Sequence, residues 1–170
     1  MWVFDATPLI YLAKVDRLSL VQHIDESCVV PERVYAEVVE TGIEQGYPDA
    51  RRIERSVDAD QFDVTTVEST SLLSRLQENR SLSDADAAVL ACADARDAVA
   101  VMDETYGRDV AAAEGITTRG TAFLVLKLTK EGAISVDDAR AVIDGIIDEG
   151  WYCAPDVYTK IVHKLESFEN

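Results

Sequence analysis

Lysine is scarce in this chain: there are five, and none falls between Lys14 and Lys127. Lysine and arginine together number 16 against 32 aspartates and glutamates, a net charge of −16 at neutral pH. A shortage of positive charge works against a nucleic-acid partner, because phosphate binding rests on a basic footprint. Two circumstances lift that objection. A separate basic partner can supply the charge, or the protein can work in concentrated salt, where the Debye length falls to about 3 Å at 1 M. We favour the second and expect a halophilic protein. Also absent is any apolar run near the ~20 residues of a membrane span. The chain passes from Met1 directly into Trp2-Val3-Phe4-Asp5 with no basic stretch or cleavage site, which points to a cytoplasmic protein with no membrane partner. Cys28, Cys92 and Cys153 are odd in number, far apart and without matching histidines. That excludes a zinc site or disulfide framework and leaves small buried hydrophobes. No repeat, linker or low-complexity tract interrupts the chain, and hydrophobic residues make up 48% of it. Residues 1–170 therefore read as a single domain with a sizeable core.

Short apolar runs alternate with amphipathic stretches. Trp2-Val3-Phe4, Cys28-Val29-Val30, Phe62-Asp63-Val64, Ala98 to Met102 and Ile116-Thr117-Thr118 read as strands, with Trp151-Tyr152-Cys153 as a last strand or extended segment. Helices are expected from Pro8 to about Val15, through Val34, Val38 and Val39, and over 48–57, 70–79, 84–95, 108–114, 121–131, 135–149 and 155–166. This alternation predicts a three-layer α/β/α sandwich around a parallel sheet of four or five strands.

Asp5 and Asp103 share one local context, each following an apolar strand and preceding a helix. In an open parallel sheet, ligands bind at the carboxyl ends of strands near a topological switch point, so both acids should face one cleft on adjacent strands. The alternative is that each is a helix N-cap. A third acidic group, Asp84 and Asp86, opens a helix that is almost wholly small and apolar after it. Ser83 as N-cap with Asp86 three positions on explains one of these acids and leaves the other surplus. Glu37 borders the stripe of Val34 and Val38 and is placed to turn inward. Carboxylates that converge without a basic partner repel each other unless a cation is present. All-oxygen ligation suits Mg²⁺ or Mn²⁺, which activates water and steadies a phosphoryl group. The chemistry implied is phosphodiester hydrolysis.

Phe4-Asp5-Ala6-Thr7-Pro8-Leu9-Ile10-Tyr11-Leu12-Ala13-Lys14 resembles the opening of PIN domains, the fold of VapC-type toxins. It is most similar to a branch reading D/N-T/S-T/S-P-L-I-x-L-A-K. Pro31 to Val39 resembles that branch's P-x-x-V-x-x-E-V, which puts its second acid on Glu37. Ser83 to Ala91 resembles G-E-A-E-A-I-x-L-A, with Asp84 and Asp86 in place of glutamates. Met102-Asp103-Glu104 with Gly107-Arg108 resembles D-D-x-x-A-R, Gly120-Thr121 resembles G-T-x-x-x-L, and Trp151-Tyr152 resembles a terminal aromatic pair. The resemblance spans nearly the whole chain. It implies a Mg²⁺- or Mn²⁺-dependent endoribonuclease, commonly a toxin neutralised by a small antitoxin. Asp5, Asp86 and Asp103 would be metal ligands, and Glu37, Asp84 and Thr7 would complete the catalytic set. Ala6 departs from the usual hydroxyl residue, leaving Thr7 to hydrogen-bond near Asp5.

Arg108, one turn beyond Asp103, is the best placed guanidinium to hold a substrate phosphate, with Lys14 and Arg119 as further RNA contacts. The alternative for Arg108 is a surface ion pair with Asp109, Glu104 or Glu114. Other enzymes fit poorly. A haloacid-dehalogenase phosphatase needs a second aspartate two residues after Asp5, where Thr7 stands. A receiver domain wants a lysine after a late strand, and none is suitably placed. A stronger rival is a PIN fold that serves as a binding or assembly module with little turnover. Whether two copies dimerise is open.

Overall fold

The computed structural model describes residues 1–169. Five strands, β1 (Trp2–Phe4), β2 (Cys28–Pro31), β3 (Asp63–Thr65), β4 (Val99–Val101) and β5 (Thr118–Arg119), form one sheet in the order β3-β2-β1-β4-β5. Every pairing is parallel. The apolar runs of the central strands follow from this, since a parallel sheet is covered on both faces. All of β1 and β2 is buried, whereas edge strand β3 exposes Asp63 and Val64. Phe4 and Phe62 meet edge-to-face with ring centroids 5.1 Å apart.

The helices make the outer two layers of an α/β/α sandwich. They are α1 (Ala6–Lys14), α2 (Glu32–Tyr35), α3 (Gly42–Glu44), α4 (Pro48–Asp58), α5 (Ser71–Glu78), α6 (Asp84–Ala95), α7 (Thr105–Ala113), α8 (Thr121–Lys130), α9 (Val136–Asp148) and α10 (Pro155–Glu166). Helix α6 lies against β1, β2 and β4, while α1 packs with α4 and α9. The small side chains Ala87, Ala91, Cys92 and Ala93 let α6 approach the sheet closely, and all are buried. Ser83 caps it as expected, its Oγ accepting from the Asp86 N–H at 3.0 Å. Two residues past the end of α9 stands Gly150, whose φ of 107° allows the Trp151 N–H to reach the Ile146 carbonyl at 2.9 Å. The three cysteines are free, and burial pushes the Cys28 thiol up to about 12, so it behaves as an inert hydrophobe.

Of the two readings for Trp151–Cys153, the structure has the segment outside the sheet rather than the strand. Two expectations need correction. Helix α7 begins at Thr105 rather than 108, directly behind Asp103 and Glu104. Residues 36–41 form a π turn (Ala36–Thr41) between α2 and α3, which hydrophobic periodicity does not reveal.

The chain builds β1, β2 and β3 in one direction, then returns to place β4 on the other side of β1. The reversal lies between β1 and β4, and the carboxyl ends of these two strands therefore flank a switch-point crevice. The layer holding α4 sits close to the π turn. A Cβ on Gly42 would stand 2.8 Å from the Ala50 Cβ on α4. An alanine in a helix interior ordinarily gains up to about 1 kcal/mol over glycine. Here overpacking outweighs it, so Gly42→Ala is expected to destabilise the protein by about 1–3 kcal/mol in chemical denaturation.

Candidate active site

Asp5 immediately follows β1, and its N–H still donates to the Val101 carbonyl of β4 at 3.0 Å. It occupies the N-cap position of α1, yet its side chain makes no capping hydrogen bond. The carboxyl is only 3% exposed, and Oδ1 has no hydrogen-bond partner among the described residues. A simple cap does not look like this. Burial first, and Asp86 second, hold the Asp5 pKa well above the usual carboxylate range, with the Ala6 N–H partly opposing them and Glu104 adding to the rise.

The two acids at the start of α6 are therefore separated by role. Asp86 is half-buried and turns to Asp5, while Asp84 is exposed and lies 3.9 Å from Arg33 on α2. Glu37 sits in the π turn, a helix distortion common at functional sites. It stays exposed rather than turning fully inward. Its carboxyl is nonetheless raised, by partial desolvation and then by Asp86 and Glu104. Glu104 was not singled out from the sequence. It is exposed at the N-cap of α7 with no capping hydrogen bond, and it acts on both Asp5 and Glu37. The signal for it in the sequence is its place as the second acid of the Asp103-Glu104 pair.

Asp103 is held differently. Oδ1 accepts from the Thr121 N–H at 2.8 Å, and Oδ2 accepts from Thr121 Oγ1 at 2.8 Å and from the Trp151 indole at 3.2 Å. Three of about four lone-pair positions are filled, and one on Oδ1 is left. Asp103 thus ties the first turn of α8 to the segment after α9. A Cβ on Gly120 would come 3.0 Å from Asp103 Oδ1 and 3.6 Å from Arg108 Nη1, so a side chain there would crowd both groups.

Arg108 is exposed, and none of the ion pairs among the described residues involves it. Glu114, one of its expected surface partners, pairs with Arg75 at 3.3 Å. Arg119 donates to the Thr118 carbonyl and lies over the Phe123 ring at 5.0 Å. Arg108, Arg119, Asp103, Trp151 and Tyr152 line one cavity of about 290 Å³. Lys14 is not brought to this place. It is the last residue of α1, about 13 Å along the axis from Asp5 at 1.5 Å per residue, and sits over the Tyr11 ring at 5.4 Å. Thr7 leaves Asp5 Oδ1 without a partner, so the expected hydrogen bond is not made there.

The fold thus gathers Asp5, Asp86, Glu37 and Glu104 at the switch point, with Asp103 and the arginines along an adjoining wall. A buried carboxylate oxygen without a donor, among acids and no lysine or arginine, suits a hard divalent cation. Among the described residues, no group of three or more His, Cys, Asp or Glu side chains is placed to hold a metal ion as the side chains stand.

A parallel α/β/α sandwich with an acidic cluster at the β1/β4 switch point defines a class of small acidic-site α/β proteins. A family model described as PIN domain matches residues 1–167, and the chain belongs to that family. PIN domains are generally nucleases, and such nucleases generally use divalent metals. No curated protein matches the chain.

The two aspartates should respond oppositely to neutralisation in metal-free buffer. Because the Asp5 pKa is raised in the folded state, its ionisation opposes folding, and stability is lost as pH rises through that raised value. Asp5→Asn removes this loss and is expected to match or exceed the wild-type melting temperature at pH 7. The advantage should vanish as pH falls to the ordinary carboxylate range near 3.9. Asp103→Asn turns one acceptor into a donor facing other donors and is expected to cost about 1–3 kcal/mol at pH 7. Thermal melts in EDTA across pH read both effects.

Proposed function

We propose that this protein is a metal-dependent endoribonuclease that hydrolyses RNA phosphodiesters with water as nucleophile. The observation that carries this reading is the buried, unpartnered Asp5 Oδ1 facing Asp86 at the switch point of a PIN fold. Asp5 and Asp86 would hold a Mg²⁺ or Mn²⁺ ion, and Asp103 can reach it only through its remaining Oδ1 lone pair. When bound, such an ion lowers the pKa of a water and offsets charge on the phosphoryl oxygens. Glu37 and Glu104, both exposed at the rim of the same cluster, would supply carboxylate acceptors for the attacking water. Asp84 and Thr7 stand outside this set, Asp84 because it turns to Arg33. Arg108 holds a phosphate oxygen of the strand, with Arg119 behind it.

Two measurements test the reading. Cleavage of single-stranded RNA should appear with Mn²⁺ or Mg²⁺, stop in EDTA, and fall at least about 100-fold in Asp5→Asn and Asp86→Asn. Calorimetric Mn²⁺ binding should be lost in the same variants. In the same series, Arg108→Ala should weaken RNA binding and lower its salt slope by about one unit. A slope unchanged from wild type removes Arg108 from the site. The family's usual cellular setting extends the proposal: a toxin held in check by a small antitoxin encoded beside it.

The net charge of −16 favours a second reading, a PIN-fold assembly module with little turnover, from which RNA is repelled. Mn²⁺ binding without cleavage of any RNA would support it. The same charge underlies the proposal of a salt-rich setting. Melting temperature is then expected to rise steadily from ~0.1 to ~2 M KCl as repulsion is screened. A maximum near physiological salt rules that setting out.

A further inference from the structure

Among the described residues, seven large hydrophobic side chains are exposed, and three of them, Phe123, Tyr152 and Val157, line the cavity that adjoins Asp103. Tyr152 is the extreme case at 85% exposed. Its neighbour Trp151 is anchored to Asp103 through the indole N–H, so the backbone that carries Tyr152 is fixed beside the acidic site. Phe123 is already used as a support: Trp2 stacks with it at 6.5 Å, and the Arg119 guanidinium lies over its ring. The Tyr152 ring is the most exposed planar group of this cavity, and the Arg119 guanidinium lies in the same wall. Arg108 adds a cation to the same wall without an ion-pair partner among the described residues.

Exposed aromatic rings interleaved with guanidinium groups match an unpaired nucleotide, since every base has a face to stack and a phosphate to neutralise. The volume of about 290 Å³ lies at the small end of ligand pockets. That is room for a splayed base and too little for a duplex. We infer that this cavity is a nucleobase-stacking subsite, in which Tyr152 and Arg119 hold one unpaired base of an RNA strand whose phosphate meets Arg108. The inference rests on the nuclease reading for the identity of the strand, and it adds that the strand is gripped by one stacked base next to the acidic cluster. Stacking on a ring tolerates any base, so this subsite sets strandedness rather than sequence.

The test uses the full chain carrying Asp5→Asn, so that the RNA survives the measurement. Fluorescence anisotropy with a labelled oligoadenylate of about ten nucleotides, in Mg²⁺ buffer, gives the affinity. Tyr152→Ala should weaken binding about 5- to 150-fold, the loss of one stacked base, and Tyr152→Phe should restore it. A 2-aminopurine placed in the strand should be quenched by the tyrosine-containing protein and not by Tyr152→Ala. At 85% exposure, Tyr152 can be removed without disturbing the core. Equal affinity of Tyr152→Ala and its parent overturns the inference, as does equal binding of duplex RNA or no binding of the oligonucleotide. Loss of a dimer in Tyr152→Ala by sedimentation, with RNA affinity unchanged, also overturns it and assigns the surface to a second copy. Tyr152-dependent binding by the chain with wild-type Asp5, without any cleavage in Mn²⁺, would keep the subsite and reject the nuclease reading.

Discussion

The arrangement turns on a carboxylate that the fold buries and then leaves without a partner. Asp5 sits at the end of the central strand because the chain reverses its direction of sheet growth there. Parallel pairing to both β2 and β4 fixes its backbone, and α6 closes over β1 with the Asp86 side chain facing it. An ordinary protein core would answer such a group with an arginine or a cluster of N–H donors. This one answers with more acids. The repulsion is relieved only by taking up a proton or by a cation, and both states are available to the same residues.

Around that centre, the acids divide by what already binds them. Asp86 and Glu104 raise the pKa of both Asp5 and Glu37. Asp103 is nearly saturated by Thr121 and Trp151, and Asp84 is turned to Arg33. Asp103 therefore acts as a rivet: it joins β4, the start of α8 and the segment after α9, and so fixes the arginine- and aromatic-lined wall relative to the acidic cluster. Adjacent residues of one turn, Asp103 and Glu104, serve the two halves of the site.

Much of this was legible because strand-then-acid-then-helix is a local pattern. The end of β1 at Asp5, the cap at Ser83 and the span of α6 follow from hydrophobic runs and capping chemistry, and the adjacency of β1 and β4 follows from the rule for open parallel sheets. What was not legible depends on direction. Side chains two residues apart on a helix differ by about half a turn, so whether Asp84 or Asp86 faces β1 is decided by how α6 docks and not by composition. Glu104 was overlooked for the same reason, since only the start of α7 shows which of two neighbouring acids points to Asp5. The Trp151–Cys153 run could be read as a strand or an extended segment, and Trp151 uses its N–H on the Ile146 carbonyl and its indole on Asp103.

The charge of the molecule and the character of the adjoining wall bear on each other. A chain with 32 acidic and 16 basic residues cannot attract RNA by its overall field. Two arginines beside the site supply only a local attraction, and in concentrated salt even that weakens, because counterion release contributes less as bulk ions increase. Stacking does not share this weakness. It depends on the burial of apolar faces, which salting-out ions strengthen rather than screen. A protein that must hold a polyanion while carrying a strong negative charge is therefore better served by exposed rings than by more lysines. On the proposed reading, the scarcity of lysine and the exposure of Tyr152 would be two sides of one solution, in which affinity is moved from long-range charge to short-range contact.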